Sequence, residues 1–327
     1  MKKGVIIILF LAVIGYLARN KVMEFGPIKR YVEKKEPKPI ESTADPAAAK
    51  EDPLAPAPAA EEPSTPVKPV KVSESAASIA TGASQPDLDK PPKETVDEIE
   101  KMLKSGNRLE VWGKLTRKML GAPSPAERDA ARNALIRLNK ELFFNRDCEL
   151  EAEFYVVQPG DSLYGISKKF GTPAGLIKWA SNKSKNNVRV RERVKVPKGR
   201  LKLLVDKSDF RLYVLLNNRY LKDYVVGVGK NQKTPVGTFV IKTKIEKPPW
   251  YSPDGKKYPY GHEKNILGSR WIGFEETAKH SGYGIHGTTM PGRVGKAESA
   301  GCICMLDKDV EDLFDAVPRG TEVVIRE

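Results

Sequence analysis

Histidine, cysteine and glutamine are the scarcest residues of this chain, three of each among 327. So few cysteines exclude a dense disulfide framework, and the odd count leaves at least one thiol free or paired between molecules. Negative charge is also short: 42 acidic side chains face 56 lysines and arginines, a net charge of +14. That balance favours an anionic partner, for which nucleic acid, anionic lipid and an anionic cell wall all qualify. No apolar run reaches the ~20 residues that a spanning helix needs. The nearest approach is the fifteen residues from Gly4 to Ala18, set between Met1-Lys2-Lys3 and Arg19-Asn20-Lys21. Basic flanks around a hydrophobic stretch are the pattern of an export signal, and snorkelling by Lys3, Arg19 and Lys21 extends its reach. With no A-x-A cleavage site, residues 1–21 are expected to form an uncleaved signal anchor in the membrane. The bulk of the chain then lies outside the cytoplasm, in the cell envelope, where a nucleic-acid partner is not expected.

A length of 327 residues exceeds one ordinary core and predicts two or three domains. Residues 34–93 hold twelve of the 25 prolines and almost no large apolar side chains. Such a stretch cannot bury enough surface to offset ordering entropy and reads as a disordered linker. Residues 94–147 read as helical. Val96, Ile99, Met102 and Leu103 recur at helical spacing, Val111, Leu115 and Leu120 continue it, and Ser124-Pro125 starts a further helix.

Residues 154–198 form a separate unit. Tyr155-Val156-Val157 is a short strand, and Gly160-Asp161-Ser162 turns into a helix with Leu163, Ile166 and Phe170 on one face. Gly171 ends that helix, Thr172-Pro173 begins a second, and Val194 and Val196 mark a returning strand. This βααβ order resembles a lysin motif (LysM) domain, through Tyr155-x-Val157-x-x-Gly160-Asp161-Ser162-Leu163, Phe170-Gly171, Asn182 and Val194-x-Val196-Pro197. One departure is Arg191, where the family often has glycine. The resemblance implies binding of N-acetylglucosamine-containing glycan, with Gly160, Asp161, Ser162, Leu163, Tyr164 and Asn182 as the candidate groove.

From residue 201 to 327 the pattern is mostly β, and an all-β sandwich or barrel with one or two short helices is the expected architecture. A Pro-rich stretch with Pro248, Pro249, Pro253 and Pro259 is too irregular for a strand and reads as a functional loop or lid. Asp307 is expected to cap a helix that turns Val310, Leu313 and Phe314 inward. His286 and Cys302 lie sixteen positions apart, each with glycine beside it. A thiol nucleophile needs a base in contact with it, because the thiolate is the reactive species. Neighbouring glycines let backbone N–H groups approach an oxyanion closely. The pattern therefore reads as a Cys/His acyl-transfer site, and alternatively as a buried cysteine and a turn histidine.

This domain resembles the L,D-transpeptidase catalytic domain, through Thr234-Pro235-x-Gly237-x-Phe239, Leu267-Gly268-x-Arg270-Trp271, Ile285-His286-Gly287-Thr288 and Ser299-x-Gly301-Cys302-Ile303-x-Met305. The resemblance implies Cys302 as nucleophile, His286 as base, the Gly287 carbonyl as its orienter, and the N–H groups of Gly301 and Cys302 as oxyanion donors. Ser299 matches a hydroxyl position. The implied reaction is acyl transfer from a peptidoglycan tetrapeptide stem to the side-chain amine of another, a 3→3 cross-link; water as acceptor gives carboxypeptidase activity. Ala300 and Cys304 depart from the family, which usually has arginine or asparagine at the latter position. A non-catalytic peptidoglycan-binding protein with a degenerate site is the alternative. No cofactor or metal is expected; zinc on His280, His286, Cys302 and Cys304 is disfavoured by the C-x-C spacing.

Overall fold

The computed structural model describes Leu88 and residues 91–327, apart from Glu149 and Asp254. The expected membrane anchor and nearly all of the expected linker lie outside the described residues. Among the described residues no helix is long and apolar enough to cross a membrane.

Three helices come first. α1 (Val96–Lys101) opens with a capping box, in which the Thr95 hydroxyl accepts from the Glu98 N–H and the Glu98 carboxylate accepts from the Thr95 N–H. α2 (Arg108–Leu120) follows, and α3 (Pro125–Glu141) begins with Ser124 as N-cap and proline in the first turn. Val111, Trp112, Leu115 and Met119 of α2 and Leu135 and Leu138 of α3 are buried.

The second layer is a small βααβ module. β1 (Ala152–Val156) pairs antiparallel with β2 (Arg193–Pro197), with Tyr155 opposite Val194. Between them lie α4 (Leu163–Phe170), capped by the Ser162 hydroxyl and ended by left-handed Gly171, and α5 (Ala174–Ala180). Val157, Leu163, Ile166, Ile177, Val194 and Val196 form its core. Arg191 adopts φ 68°, the left-handed conformation that favours glycine. The turn is thus kept despite the arginine.

The remaining strands are β3 (Leu201–Asp206), β4 (Arg211–Leu216), β5 (Arg219–Val225), β6 (Val228–Gly229), β7 (Gly237–Glu246), β8 (Trp250–Tyr251), β9 (Lys257–Tyr258), β10 (Arg270–Phe274), β11 (Gly284–His286), β12 (Ala297–Ser299), β13 (Ile303–Cys304) and β14 (Glu322–Arg326). Eight of them form one mixed sheet in the order β13-β11-β10-β7-β14-β3-β4-β5. It curls into a half-barrel, in keeping with the mainly β, barrel-like architecture expected, and α6 (Asp307–Ala316) packs against β10 and β11. The Pro-rich segment is more regular than expected: β8 and β9 pair as a short hairpin, with Trp250 and Tyr258 stacked at 5.7 Å.

The edge strand β5 shows what the helices do. Its outer backbone groups are taken up by side chains from α2 and α3. Trp112 Nε1 and Asn139 Nδ2 both donate to the Tyr220 carbonyl at 2.7 Å, Asn139 also reaches the Leu221 carbonyl at 2.9 Å, and the Thr116 hydroxyl accepts from the Tyr220 N–H at 3.0 Å. An exposed sheet edge is a template for unwanted pairing, and these helices cover it. The βααβ module packs on the same domain through α5 and α6, where the Asp312 carboxylate accepts from Trp179 Nε1 at 2.7 Å and from the Tyr224 hydroxyl at 2.9 Å and is paired with Lys222. Buried Lys195 ties β2 to the end of α3, donating to the carbonyls of Leu142, Phe143 and Asn145 at 2.6, 3.0 and 3.0 Å.

Candidate active site

Parallel pairing of β11 with β13 places Ile285 opposite Ile303 and His286 opposite Cys304. This brings two chain segments sixteen residues apart into adjacent strands. Cys302 precedes β13 in a bend, and Cys304 is the last residue of β13. His286 is 5% exposed, stacked on Trp271 at 5.9 Å between ring centres, and its Nδ1 lies 2.5 Å from the Gly287 carbonyl. A carbonyl accepts only, so this contact fixes the proton on Nδ1. Burial pushes the imidazole down to about 4, against the pull of the Gly287 carbonyl, with the Arg293 charge adding to the depression.

Cys302 is half-buried, and its thiol donates to the Gly282 carbonyl at 3.7 Å. Burial pushes the thiol up to about 11, and the Gly284 N–H acts in the opposite direction. A depressed thiol, the usual mark of a preformed thiolate, is therefore absent from the resting site. The bend is held by Ser299, whose hydroxyl donates to the Cys302 carbonyl at 2.6 Å and accepts from the Gly301 N–H at 3.2 Å. The Gly301 N–H is thus spent on Ser299. It is not free for an oxyanion, and the Cys302 N–H has no acceptor among the described residues. Gly301 has φ 142°, and a Cβ there would lie 3.0 Å from the Tyr283 ring and 3.2 Å from the Lys233 carbonyl, so the bend requires glycine.

Three further residues brace the bend and the segments around it. The buried Thr234 hydroxyl donates to the Gly301 carbonyl at 2.8 Å and accepts from the Gly229 N–H at 2.7 Å. Asp307 does not cap its helix, whose N-cap is Leu306 without a side-chain bond. Its carboxylate instead accepts from the N–H groups of Ser269 and Thr288 at 3.2 and 3.1 Å, bracketing Gly287. Asn265, 2% exposed, donates from Nδ2 to the carbonyls of Pro248, Tyr258 and Pro259 at 3.0–3.1 Å and so gathers the β8–β9 segment. Sequence reasoning missed Asn265; a lone asparagine after the Pro-rich run was its sole signal.

Among the described residues no set of three histidine, cysteine or acidic side chains converges to hold a metal. His280 instead meets the rings of Phe239 and Tyr283. All three cysteines are free.

In the βααβ module, Asp161 accepts from the Tyr155 hydroxyl and the Gln158 N–H, both at 2.7 Å, and Ser162 caps α4. Gly160 makes the turn at φ 86°. Leu163 departs from its expected place in the groove: at 2% exposure its side chain belongs to the module core. Tyr164, 65% exposed with Lys168 over its ring, and Asn182, exposed at φ 49°, remain on the surface.

The sequence profile of the L,D-transpeptidase catalytic domain (YkuD) matches residues 200–325, and that of the LysM domain matches residues 155–197. "Putative L,D-transpeptidase YqjB" of Bacillus subtilis (strain 168) is 39% identical over 125 residues, 38% of this chain and 69% of that protein. "Putative L,D-transpeptidase YkuD" of Bacillus licheniformis is 34% identical over 182 residues, 52% of this chain and 97% of that protein. Among solved structures, an L,D-transpeptidase from Mycobacterium smegmatis aligns at 18% identity and a TM-score of 0.31, over 42% of this chain and 63% of that one. The chain belongs to the L,D-transpeptidase family and carries a LysM domain.

Proposed function

We propose that this chain is a peptidoglycan L,D-transpeptidase that forms 3→3 cross-links through a Cys302 acyl-enzyme and is localised to the wall by its LysM domain. The observation that carries the reading is the Nδ1 contact of His286 with the Gly287 carbonyl. It leaves Nε2 as the basic nitrogen of an imidazole that burial keeps neutral. In this reading the Cys302 thiol leaves the Gly282 carbonyl and gives its proton to that nitrogen. The sulfur attacks the carbonyl carbon before the terminal D-Ala of a tetrapeptide stem as its proton passes to His286. The C–N bond then breaks, His286 returns the proton to the leaving amine, and a thioester remains. The Cys302 N–H is the oxyanion donor. A side-chain amine of a second stem resolves the thioester, or water does, giving carboxypeptidase activity. The N-terminal segment would hold the enzyme at the membrane with its catalytic domain facing the wall.

A second reading, a non-catalytic wall-binding protein, draws on the resting thiol, which is neutral and bonded away from the base. Muropeptide tetrapeptides incubated with the full chain and with Cys302→Ala, then analysed by mass spectrometry, separate the two. Cys302-dependent release of D-Ala or a 3→3 dimer is expected. Retained glycan binding with neither product would establish the second reading.

A further inference from the structure

A donor stem that ends in D-Ala brings a carboxylate into the site. Cys304, where the resemblance leads one to expect a cation, cannot receive it. Its thiol is 2% exposed, and its backbone exchanges two hydrogen bonds with Gly227, at 2.8 and 2.9 Å. The residue beside it is Arg293, the last of the short helical turn Pro291–Arg293 that follows the His286 loop. The two residues meet over Gly227: a Cβ there would lie 2.3 Å from the Arg293 carbonyl oxygen and 2.5 Å from the Cys304 sulfur.

Arg293 also differs from its fellows in how its charge is used. The other arginines of the catalytic domain that are at least half-buried are each tied to a carboxylate: Arg211 and Arg219 to Asp223 and Glu151, Arg270 to Glu246 and Glu311, Arg326 to Asp206. Arg293 is half-buried and has no carboxylate partner among the described residues. Its charge nevertheless acts on the site: it disfavours the His286 imidazolium, and at the neighbouring Cys304 thiol it opposes the effect of Glu298. A guanidinium left unpaired at the edge of a site is ready for a planar anion.

We propose that Arg293 binds the carboxylate of the leaving D-Ala, and so selects donor stems that end one residue beyond the cleaved bond. The inference rests on the proposed function. The chemistry fits the placement, because the nitrogen that His286 must protonate and the carboxylate of the same residue are both bonded to one α-carbon. A cation close to His286 is therefore close to that carboxylate whenever the scissile bond is aligned. A stem one residue longer carries its carboxylate about 3.5 Å further away and leaves Arg293 facing an amide.

The test uses the full chain, native and with Arg293→Gln or Arg293→Lys, and two donors: a tetrapeptide stem with a free terminal carboxylate and the same stem as the terminal carboxamide. Release of the terminal residue is followed by mass spectrometry. The native enzyme should favour the carboxylate in kcat/KM by about tenfold or more, as a charged hydrogen bond allows. Arg293→Gln should raise KM for the carboxylate donor by about that factor, move KM for the carboxamide donor far less, and so erase the preference. Arg293→Lys should restore part of it. A Gln variant that keeps the preference, or that loses both donors equally, overturns the inference and leaves the transpeptidase reading standing. A native chain that releases nothing from either donor overturns that reading and this inference with it.

Discussion

Burial acts on Cys302 and His286 in opposite senses, raising the thiol to about 11 and lowering the imidazole to about 4, because each loses the water that would solvate its charged form. The resting pair is then neutral at physiological pH, and proton transfer must accompany attack. Iodoacetamide labelling of Cys302, read by peptide mass spectrometry, should be slow at pH 7 in the native chain and still rising at pH 10. In denaturant the same residue should follow an ordinary thiol of pKa near 8.5. A native profile that levels off below pH 8 would contradict the neutral pair. The identity of these two residues was legible in the sequence because both types are rare and each carries glycine neighbours. The supports were not. Thr234 belongs to a recognisable motif, but its partner Gly301 lies 67 residues on. Asp307 stands at a helix start, where local reasoning sees a cap and cannot see the Ser269 and Thr288 N–H groups arriving from other strands.

At the scale of elements, the alternation of apolar residues marked most strands of the large sheet, while the β8–β9 hairpin was hidden by its prolines. Those prolines frame two-residue strands that Asn265 gathers from behind by three carbonyl contacts. Asn265→Ala would leave these buried acceptors without their donor, a local cost of about 1–3 kcal/mol. Hydrogen exchange should therefore quicken across residues 248–260 and stay unchanged in β3, β4 and β14; uniform protection in the variant would show that the hairpin stands without Asn265. The role of α2 and α3 was equally illegible. Their periodicity gives helices, but Trp112 and Asn139 meet β5 across 108 and 81 residues, which no local pattern reports.

Over the whole molecule, the two matched domains were readable from their motifs, and their packing was not, because a docking surface has no fixed residue spacing. The junction is close. A Cβ on Gly175 of α5 would lie 2.4 Å from the backbone carbon of Asp315 in α6. Asp312 at the same junction has its carboxyl held below the usual range: burial alone would raise it, but Lys222, Trp179 and Tyr224 together outweigh that. Gly175→Leu should force the module off α6, at a cost of about 1–3 kcal/mol for overpacking. Trypsin should then cut faster at exposed Lys198 and Arg200 between the modules, with the catalytic domain itself intact on the gel. Unchanged cleavage would mean that the helices slide past the added side chain.

Only Lys198, Gly199 and Arg200 separate β2 from β3, and the Trp179–Asp312 contact closes the joint from the side. A reader head on a slack cord can visit any stem within its swing. A head fixed to its gripping foot cannot. Under the proposed function the glycan held by the LysM domain would be presented to Cys302 at one offset, and cross-links would recur along the strand at a stitch length set by the protein rather than by chance encounter.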